Sequence, residues 1–453
     1  MIKKIKDNGI FIIVFIFIFL SLWYFGSNKN TYDAIWNYGY SLGIVKGQIP
    51  YLDFTMIITP LFNFIMALGL LISHEYIIYI IEFSLILTIG FYFLYKNYDK
   101  KAWSYLVLLV LPFYFPLVPS YNTFVFVITA IILYLEKIKN KDILIGILVA
   151  CIVLSKQTVG IFFIFPSLII YFKNYNILKK RFIGFIIPIL IFVGYLLITN
   201  SFIPFFNLCL FGLLDFGNKN TIILNWYFII SFIMIIINIV ILKKDHKNIA
   251  LWYSLMGYSI LVPIYNLHHF SIYLLFFSIC LLEKIDIKYG DIIRNVSIVI
   301  IVCQSLFYYQ INSINKIALS TGINNFNYIF LSKEEVKVIN TCNELYLKYK
   351  NKYKNVYFLS NQTSWIKAIN EEKYDYFSVL NKGNYGYDGT KKMIDGIKKM
   401  NKVYFIFNDL EYHKAKLNSK FEQLDIEIVD YVIENSTLVE EKGIYKVYYY
   451  SRK

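Results

Sequence analysis

The sequence predicts an α-helical polytopic membrane protein, with about eleven spans and a small α/β domain at its C-terminus. Three observations predict it. Of 453 residues, 58% are hydrophobic and only 17% charged, with mean hydropathy +0.53, where soluble domains carry about a quarter charged residues. The apolar residues gather into runs of roughly 16 to 20, the length a helix needs to cross about 30 Å of hydrocarbon. The basic residues are clustered too: of the 23 Lys and Arg before residue 313, 19 fall in the segments 1–6, 96–101, 137–141, 173–181, 243–247 and 284–294.

Cytoplasmic loops collect Lys and Arg, so these six segments are expected on the inner side, with spans paired between them. From residue 101 onward the pairs are 103–119 with 121–136, 143–155 with 157–172, 182–199 with 222–242, and 249–265 with 268–283. A last span, 295–312, carries the chain out. Between residues 6 and 96 stand three apolar runs, 10–26, 56–73 and 76–95, where the pairing allows two. Met56-Ile-Ile-Thr-Pro opens the middle run and His74-Glu75 follows it, so 56–73 is expected to lie in the interface or to dip in and return. The N-terminal run lacks a small-residue cleavage site and is read as an uncleaved first span. The reading divides the chain into a transmembrane domain, 1–312, with an outer loop over 27–75, and an extracytoplasmic α/β domain, 313–453. The N-terminus is expected in the cytoplasm of a multi-pass cell-membrane protein.

A formal net charge of +15 raises nucleic acid as a partner, but its distribution assigns it to topology; membrane lipids are expected instead. The five cysteines show no metal-ligand spacing and imply no disulfide framework. Residues 313–453 hold 22 Lys or Arg and 17 Asp or Glu, as a solvated domain would. Asn355-Val-Tyr-Phe-Leu-Ser, Lys402-Val-Tyr-Phe-Ile-Phe and Gly443-Ile-Tyr-Lys-Val-Tyr-Tyr-Tyr read as strands. Met393, Ile397 and Met400 have helical spacing between the first two. Asn381-Lys-Gly-Asn-Tyr-Gly-Tyr-Asp-Gly reads as turns rather than as a site.

Polar residues outside the basic loops fall on one outer face. Asp33 opens a run, Ala34 to Lys46, with the apolar spacing of a helix lying on the membrane. It serves either as the cap of that helix or as a carboxylate held at the surface for general-base work, and spacing alone does not choose. Lys156 interrupts the apolar stretch from Ile143 to Phe172. A lysine at membrane depth is costly and points to function; the plainer reading is a loop residue snorkelling to the surface. Gln157-Thr158 beside it add polar groups that a minimal turn does not need. His268 and His269 sit at an outer junction, able to bind phosphate when protonated or a divalent cation when neutral. Neighbours on a helix point about 100° apart, so they do not readily chelate one ion together. Glu82 is expected to face the bundle interior, and Asp215 to be a turn residue beside Gly217.

The loop Gly47-Gln-Ile-Pro-Tyr-Leu-Asp-Phe, followed by Thr59-Pro60-Leu61 and preceded by Asp33 and an aromatic-rich helix, resembles the first outer loop of GT-C glycosyltransferases. The similarity is to relatives of the protein O-mannosyltransferases and aminoarabinose transferases, which use polyprenyl-phosphate sugars. The resemblance covers 1–312 in architecture, with its specific motifs in 30–61. It departs from the family pattern where Asp33-Ala34 replaces two adjacent acids, and where Tyr121-Asn122 stands in place of another acid. It implies Asp33 as catalytic base. It implies Lys156, Gln157, His268 and His269 around the donor phosphate, and Tyr51, Asp53, Tyr121 and Asn122 shaping the acceptor side.

The expected activity is therefore transfer of a sugar, with inversion, from a polyprenyl-phosphate donor to an extracytoplasmic acceptor: protein, cell-wall polymer or lipid. No cofactor is certain, and a metal is left open. The alternative is a polytopic transporter or flippase, supported by the span count and by intramembrane Glu82 and Lys156. Against it, no pair of Gly/Pro-broken helices marks two corresponding halves.

Overall fold

The computed structural model describes residues 2–23, 32–98, 118–219, 224–284, 318–353, 355–360, 362–418 and 424–452. The first part is helical: α1 (Ile2–Ser21), α2 (Tyr32–Val45), α3 (Leu61–Leu70), α4 (Tyr76–Asn97), α5 (Tyr121–Leu135), α6 (Asp142–Ser155), α7 (Gln157–Gly160), α8 (Phe165–Tyr171) and α9 (Tyr175–Ile198). It continues through α10 (Phe202–Phe205), α11 (Gly212–Lys219), α12 (Trp226–Lys244), α13 (Ile249–Met256) and α14 (Leu267–Lys284).

Three of the described helices, α4, α9 and α12, are long and apolar enough to cross a membrane, with 22, 24 and 19 residues. At 1.5 Å per residue these reach the hydrocarbon thickness. The expectation of eleven spans is not supported among the described residues. Two expected spans, 103–119 (all but its last two residues) and 295–312, lie outside them. Two others are broken. The stretch 157–172 divides into α7, a 3₁₀ turn over Phe162–Ile164, and α8. The stretch 249–265 passes from α13 into a 3₁₀ turn, Gly257–Leu261. Gly257 sits where a Cβ would strike the Phe276 ring, which holds this irregular segment close to α14.

The run 56–73 yields only the ten-residue α3, about half the length a span needs. Its two flanks are each held by another part of the chain. Before it, the Thr59 amide donates to Gln157 Oε1 (3.2 Å); after it, Glu75 accepts from Asn327 of the C-terminal domain (2.9 Å). Some of the basic segments contact one another. Lys137 donates to the Asn97 carbonyl (2.6 Å), and Asn248 bonds both Asp245 (3.2 Å) and Glu283 (2.8 Å). Arg181, buried, grips Glu136 (2.7 Å) and Asp142 (3.2 Å). The neighbouring α6 and α9 cross closely because Gly146 faces the Arg181 carbonyl and Gly184 faces the Ile143 carbonyl, where side chains would not fit.

The C-terminal domain begins with the pair β1 (Ala318–Leu319) and β2 (Phe330–Leu331). Then come α15 (Lys333–Lys350), β3 (Val356–Leu359), α16 (Thr363–Ile369), α17 (Gly389–Lys399), β4 (Val403–Asn408), α18 (Asp409–Leu417), α19 (Ile426–Asn435), β5 (Thr437–Lys442) and β6 (Tyr445–Tyr450). The sheet order is β3-β4-β6-β5; β3 and β4 are parallel and the other neighbours antiparallel. Strand β4 is buried on both faces, as its continuous apolar run requires. Tyr404 and Ile406 face Leu345 and Tyr349 of α15, while Val403, Phe405 and Phe407 face Ile397 of α17 and Val432 of α19. Ser332 and Glu335 form a capping box that starts α15 (3.1 and 2.6 Å), satisfying two otherwise open amides.

This domain docks on the loop region of the helical part. Gln48 donates to the Tyr374 carbonyl and accepts from the Tyr374 amide, both at 2.8 Å. The Trp23 indole N–H donates to the Tyr328 carbonyl (2.7 Å), and the Tyr76 amide to the Asn325 carbonyl (2.8 Å). The hydroxyl and ring of Tyr374 lie against Gly39 of α2, where no Cβ would fit.

Candidate functional site

Helix α2 places Asp33, Trp36, Asn37 and Tyr40 on one face by its 3.6-residue period, and that face lines a cavity of about 1060 Å³. Asn63 of α3 holds α2 in place, donating to the Asn37 carbonyl (3.0 Å). Tyr121, Lys156, Gln157, His268 and His269 line the same cavity. So do Asn381, Lys382 and Asn384 of the C-terminal domain.

Asp33 lies within the first turn of α2, and its carboxylate faces His268: Nε2 to Oδ2 is 3.7 Å. Lys156 occupies the break between α6 and α7, with extended backbone (φ −155°, ψ 101°). Its ammonium donates to Asn122 Oδ1 (2.8 Å) and stands 5.3 Å from the centre of the Tyr121 ring. Asn122 is itself fully buried. A charge held this far from bulk water acts strongly on any anion that enters.

Gln157 is engaged differently. Its amide nitrogen donates to the Ile57 (2.7 Å) and Cys209 (3.0 Å) carbonyls, while its oxygen accepts from the Thr59 amide. It therefore holds the 57–59 segment as one wall of the cavity. His269 is anchored by Asn266, whose Oδ1 is 2.9 Å from both the His269 amide and Nδ1. Because that oxygen only accepts, the bond puts a proton on Nδ1 and leaves Nε2 bare in the neutral ring. The two imidazoles meet edge to face, with centroids 5.3 Å apart.

Three expected residues are not brought to the cavity wall: Asn122, which is buried and accepts from Lys156, and Tyr51 and Asp53. Tyr51 is buried in a left-handed conformation (φ 73°), its hydroxyl donating to the Ile58 carbonyl (2.9 Å). Asp53 accepts from the Ile49 amide (2.7 Å) and closes a turn. Both shape the loop that Gln157 holds. Glu82 accepts from the Gly69 amide (3.2 Å), tying α4 to the end of α3. Asp215, expected in a turn, lies in α11 and accepts from the Gly389 amide (3.3 Å) at the start of α17.

The amide-rich segment 381–384, read from the sequence as turns, does form a turn, since the Asn384 amide donates to the Asn381 carbonyl (3.0 Å). It also roofs the cavity. The signal that it contributes to a site is the pairing of side-chain amides with Gly383 and Gly386, which let the loop approach the helical part closely. Among the lining residues Asp33 is the one acid, beside Lys156, Lys382 and two histidines. Much of the remaining wall is apolar, including Phe162, Leu213, Ile235, Leu255 and Val262. The cavity thus offers one base, a positive field for an anion, and a greasy surface for a lipid chain. Among the described residues, no three His, Cys, Asp or Glu side chains gather as metal ligands. Comparison with family models, with curated proteins and with solved structures finds no match to this chain.

Proposed function

We propose that this chain is a membrane glycosyltransferase of the GT-C kind, moving a sugar from a polyprenyl-phosphate donor to an extracytoplasmic acceptor hydroxyl. The observation that carries the reading is the convergence of Asp33, His268 and Lys156 on one cavity with an apolar wall. These residues stand far apart in the sequence, and each is a polar or charged group set in an apolar context. The eleven-span arrangement, with the cavity and the C-terminal domain facing outward, belongs to this proposal.

In the mechanism, the lipid chain lies along the apolar wall and the donor phosphate meets Lys156. The Asp33 carboxylate takes the proton of the acceptor hydroxyl as its oxygen attacks the anomeric carbon from the face opposite the phosphate. The bond from anomeric carbon to phosphate oxygen breaks, the configuration inverts, and polyprenyl phosphate leaves with the bonding pair. Lys156 stabilises the charge that grows on it; such preorganised electrostatics is commonly the largest contribution to catalysis. His268 holds the carboxylate in register, and Gln157 holds the wall that faces it.

The test is transfer from labelled polyprenyl-phosphate sugars by the full chain in membranes, with Asp33→Asn beside the wild type at equal protein level. Transfer by the wild type that disappears in the variant is the expected result. Equal transfer by both would reduce Asp33 to a structural residue. No transfer from any donor would favour a transporter.

A further inference from the structure

We propose that the segment Phe202–Lys219 lies in the bilayer interface, with Ile203, Leu210, Phe211 and Leu214 among the lipid chains, so that the bilayer itself holds the roof of the cavity. The inference rests on the membrane part of the reading above and on none of its chemistry.

The segment runs through α10, a π-helical turn over Phe206–Phe211, and α11. From Phe202 to Leu214 it carries no charged residue. Ile203, Leu210, Phe211 and Leu214 are 79, 39, 55 and 59% exposed, and their spacing puts them on one helical face. On the other side Leu208, Cys209 and Gly212 are buried. A contiguous apolar face of this kind marks a surface that something covers. The occupant follows from the two ends. The segment leaves α9 at Ile198 and leads to α12 at Trp226, two helices long and apolar enough to span. Both expose apolar faces, including Leu190 and Ile191 on α9 and Ile229 and Ile233 on α12. The exposed stripe of 203–214 continues those faces at the level where the spans end, where an apolar face turned to the acyl boundary is stable.

The rest of the segment serves the site. Leu213, Phe216 and Gly217 line the cavity. Asn207 accepts from the Tyr387 amide through its carbonyl and from Lys392 through Oδ1, both at 3.2 Å. Asp215 accepts from the Gly389 amide (3.3 Å), and Lys219 donates to Thr390 (2.5 Å). These partners directly follow the roof loop 381–384. Gly383 itself passes so close that a Cβ would fall 2.7 Å from the Phe216 Cα. One face therefore meets lipid while the other carries the roof.

The experiment places the full chain in vesicles of equal parts phosphatidylcholine and phosphatidylglycerol, with a fluorophore on Phe211→Cys or Leu214→Cys. Ile191→Cys on α9 and Val439→Cys on β5, both exposed, carry the same label for comparison. Quenchers are iodide in water and lipids bearing a doxyl group near the headgroup or near the chain end. Labels at 211 and 214 should be quenched most by the doxyl near the headgroup, at a depth of about 5–10 Å, and much less by iodide than the label at 439. In a second arm, Leu210→Glu combined with Leu214→Glu should speed hydrogen exchange of the Tyr387 and Gly389 amides about tenfold, the scale of a lost hydrogen bond, with strand β4 unchanged. The labels decide independently of whether that variant folds. Iodide quenching at 211 and 214 as strong as at 439 overturns the proposal. So does protection from both quenchers, which would mean that protein covers the stripe, or unchanged exchange at Tyr387 and Gly389 in the folded variant. A label at 191 that no lipid quenches would remove the membrane reading as well; lipid quenching at 191 without it at 211 and 214 overturns this inference alone.

Discussion

His268 Nε2 stands 3.7 Å from Asp33 Oδ2, joining the start of α2 to the start of α14 across the floor of the cavity. The distance is just beyond a hydrogen bond and suits an imidazole that orients a carboxylate. His268→Ala is therefore expected to lower turnover about tenfold, less than loss of Asp33, because positioned general bases contribute roughly 10²- to 10⁴-fold. His268→Gln, which keeps a polar group facing Asp33, should recover part of the turnover. No recovery, with turnover as low as in His268→Ala, would assign His268 to packing alone.

Lys156 supplies charge rather than a shaped fork, so its variants separate the two. Lys156→Met should raise the donor KM by about 10- to 100-fold, the range expected for a charge-assisted hydrogen bond. Lys156→Arg should keep the charge but lose the contact with Asn122 Oδ1, now 2.8 Å, and fall between. Steady-state kinetics over donor concentration reads both. An unaltered donor KM in Lys156→Met would remove the phosphate from this residue.

Gln157 should behave as a structural brace. Gln157→Leu deletes three bonds, to Ile57, Cys209 and Thr59, and leaves main-chain groups unpaired, at roughly 1 kcal/mol or more each. The expected outcome is a lower midpoint of thermal unfolding in detergent, with turnover reduced and donor KM little changed. A selective rise in donor KM with full stability would return Gln157 to the donor phosphate.

Docking of the C-terminal domain depends on a glycine. Gly39→Val would push a side chain into the Tyr374 ring and weaken the paired Gln48–Tyr374 bonds beside it. Limited proteolysis should then cut the linkage to the C-terminal domain faster than in the wild type. Transfer to a large acceptor should fall more than donor hydrolysis does, because the roof comes from that domain. Equal protease resistance would show that the domain tolerates the change.

Much of the candidate site was legible because apolar sequence makes polar residues conspicuous. Asp33, Lys156 and His268 interrupt apolar sequence, where each is costly without a purpose or a partner, and the fold brings all three to one cavity. Tyr51 and Asp53 were assigned by their place in a motif, but motif order carries no side-chain direction. The left-handed backbone at Tyr51 turns its ring inward. Asn384 was missed for the opposite reason: amides among glycines read as solvated turns, and only tertiary contact makes one a roof. The strands at 356–359 and 403–408 were plain from their apolar runs. The span count was not, because charge clusters specify which loops share a side and say nothing of how continuous the helices between them are.

The most direct measurement is a single-turnover reaction of Asp33→Asn with labelled polyprenyl-phosphate sugar, with donor binding followed on the same membranes. The account predicts donor binding within about threefold of wild type and transfer reduced at least about a hundredfold, the lower range for loss of a general base. Transfer at the wild-type rate with donor bound would contradict the assignment of Asp33 as the base and, with it, the mechanism built on this cavity.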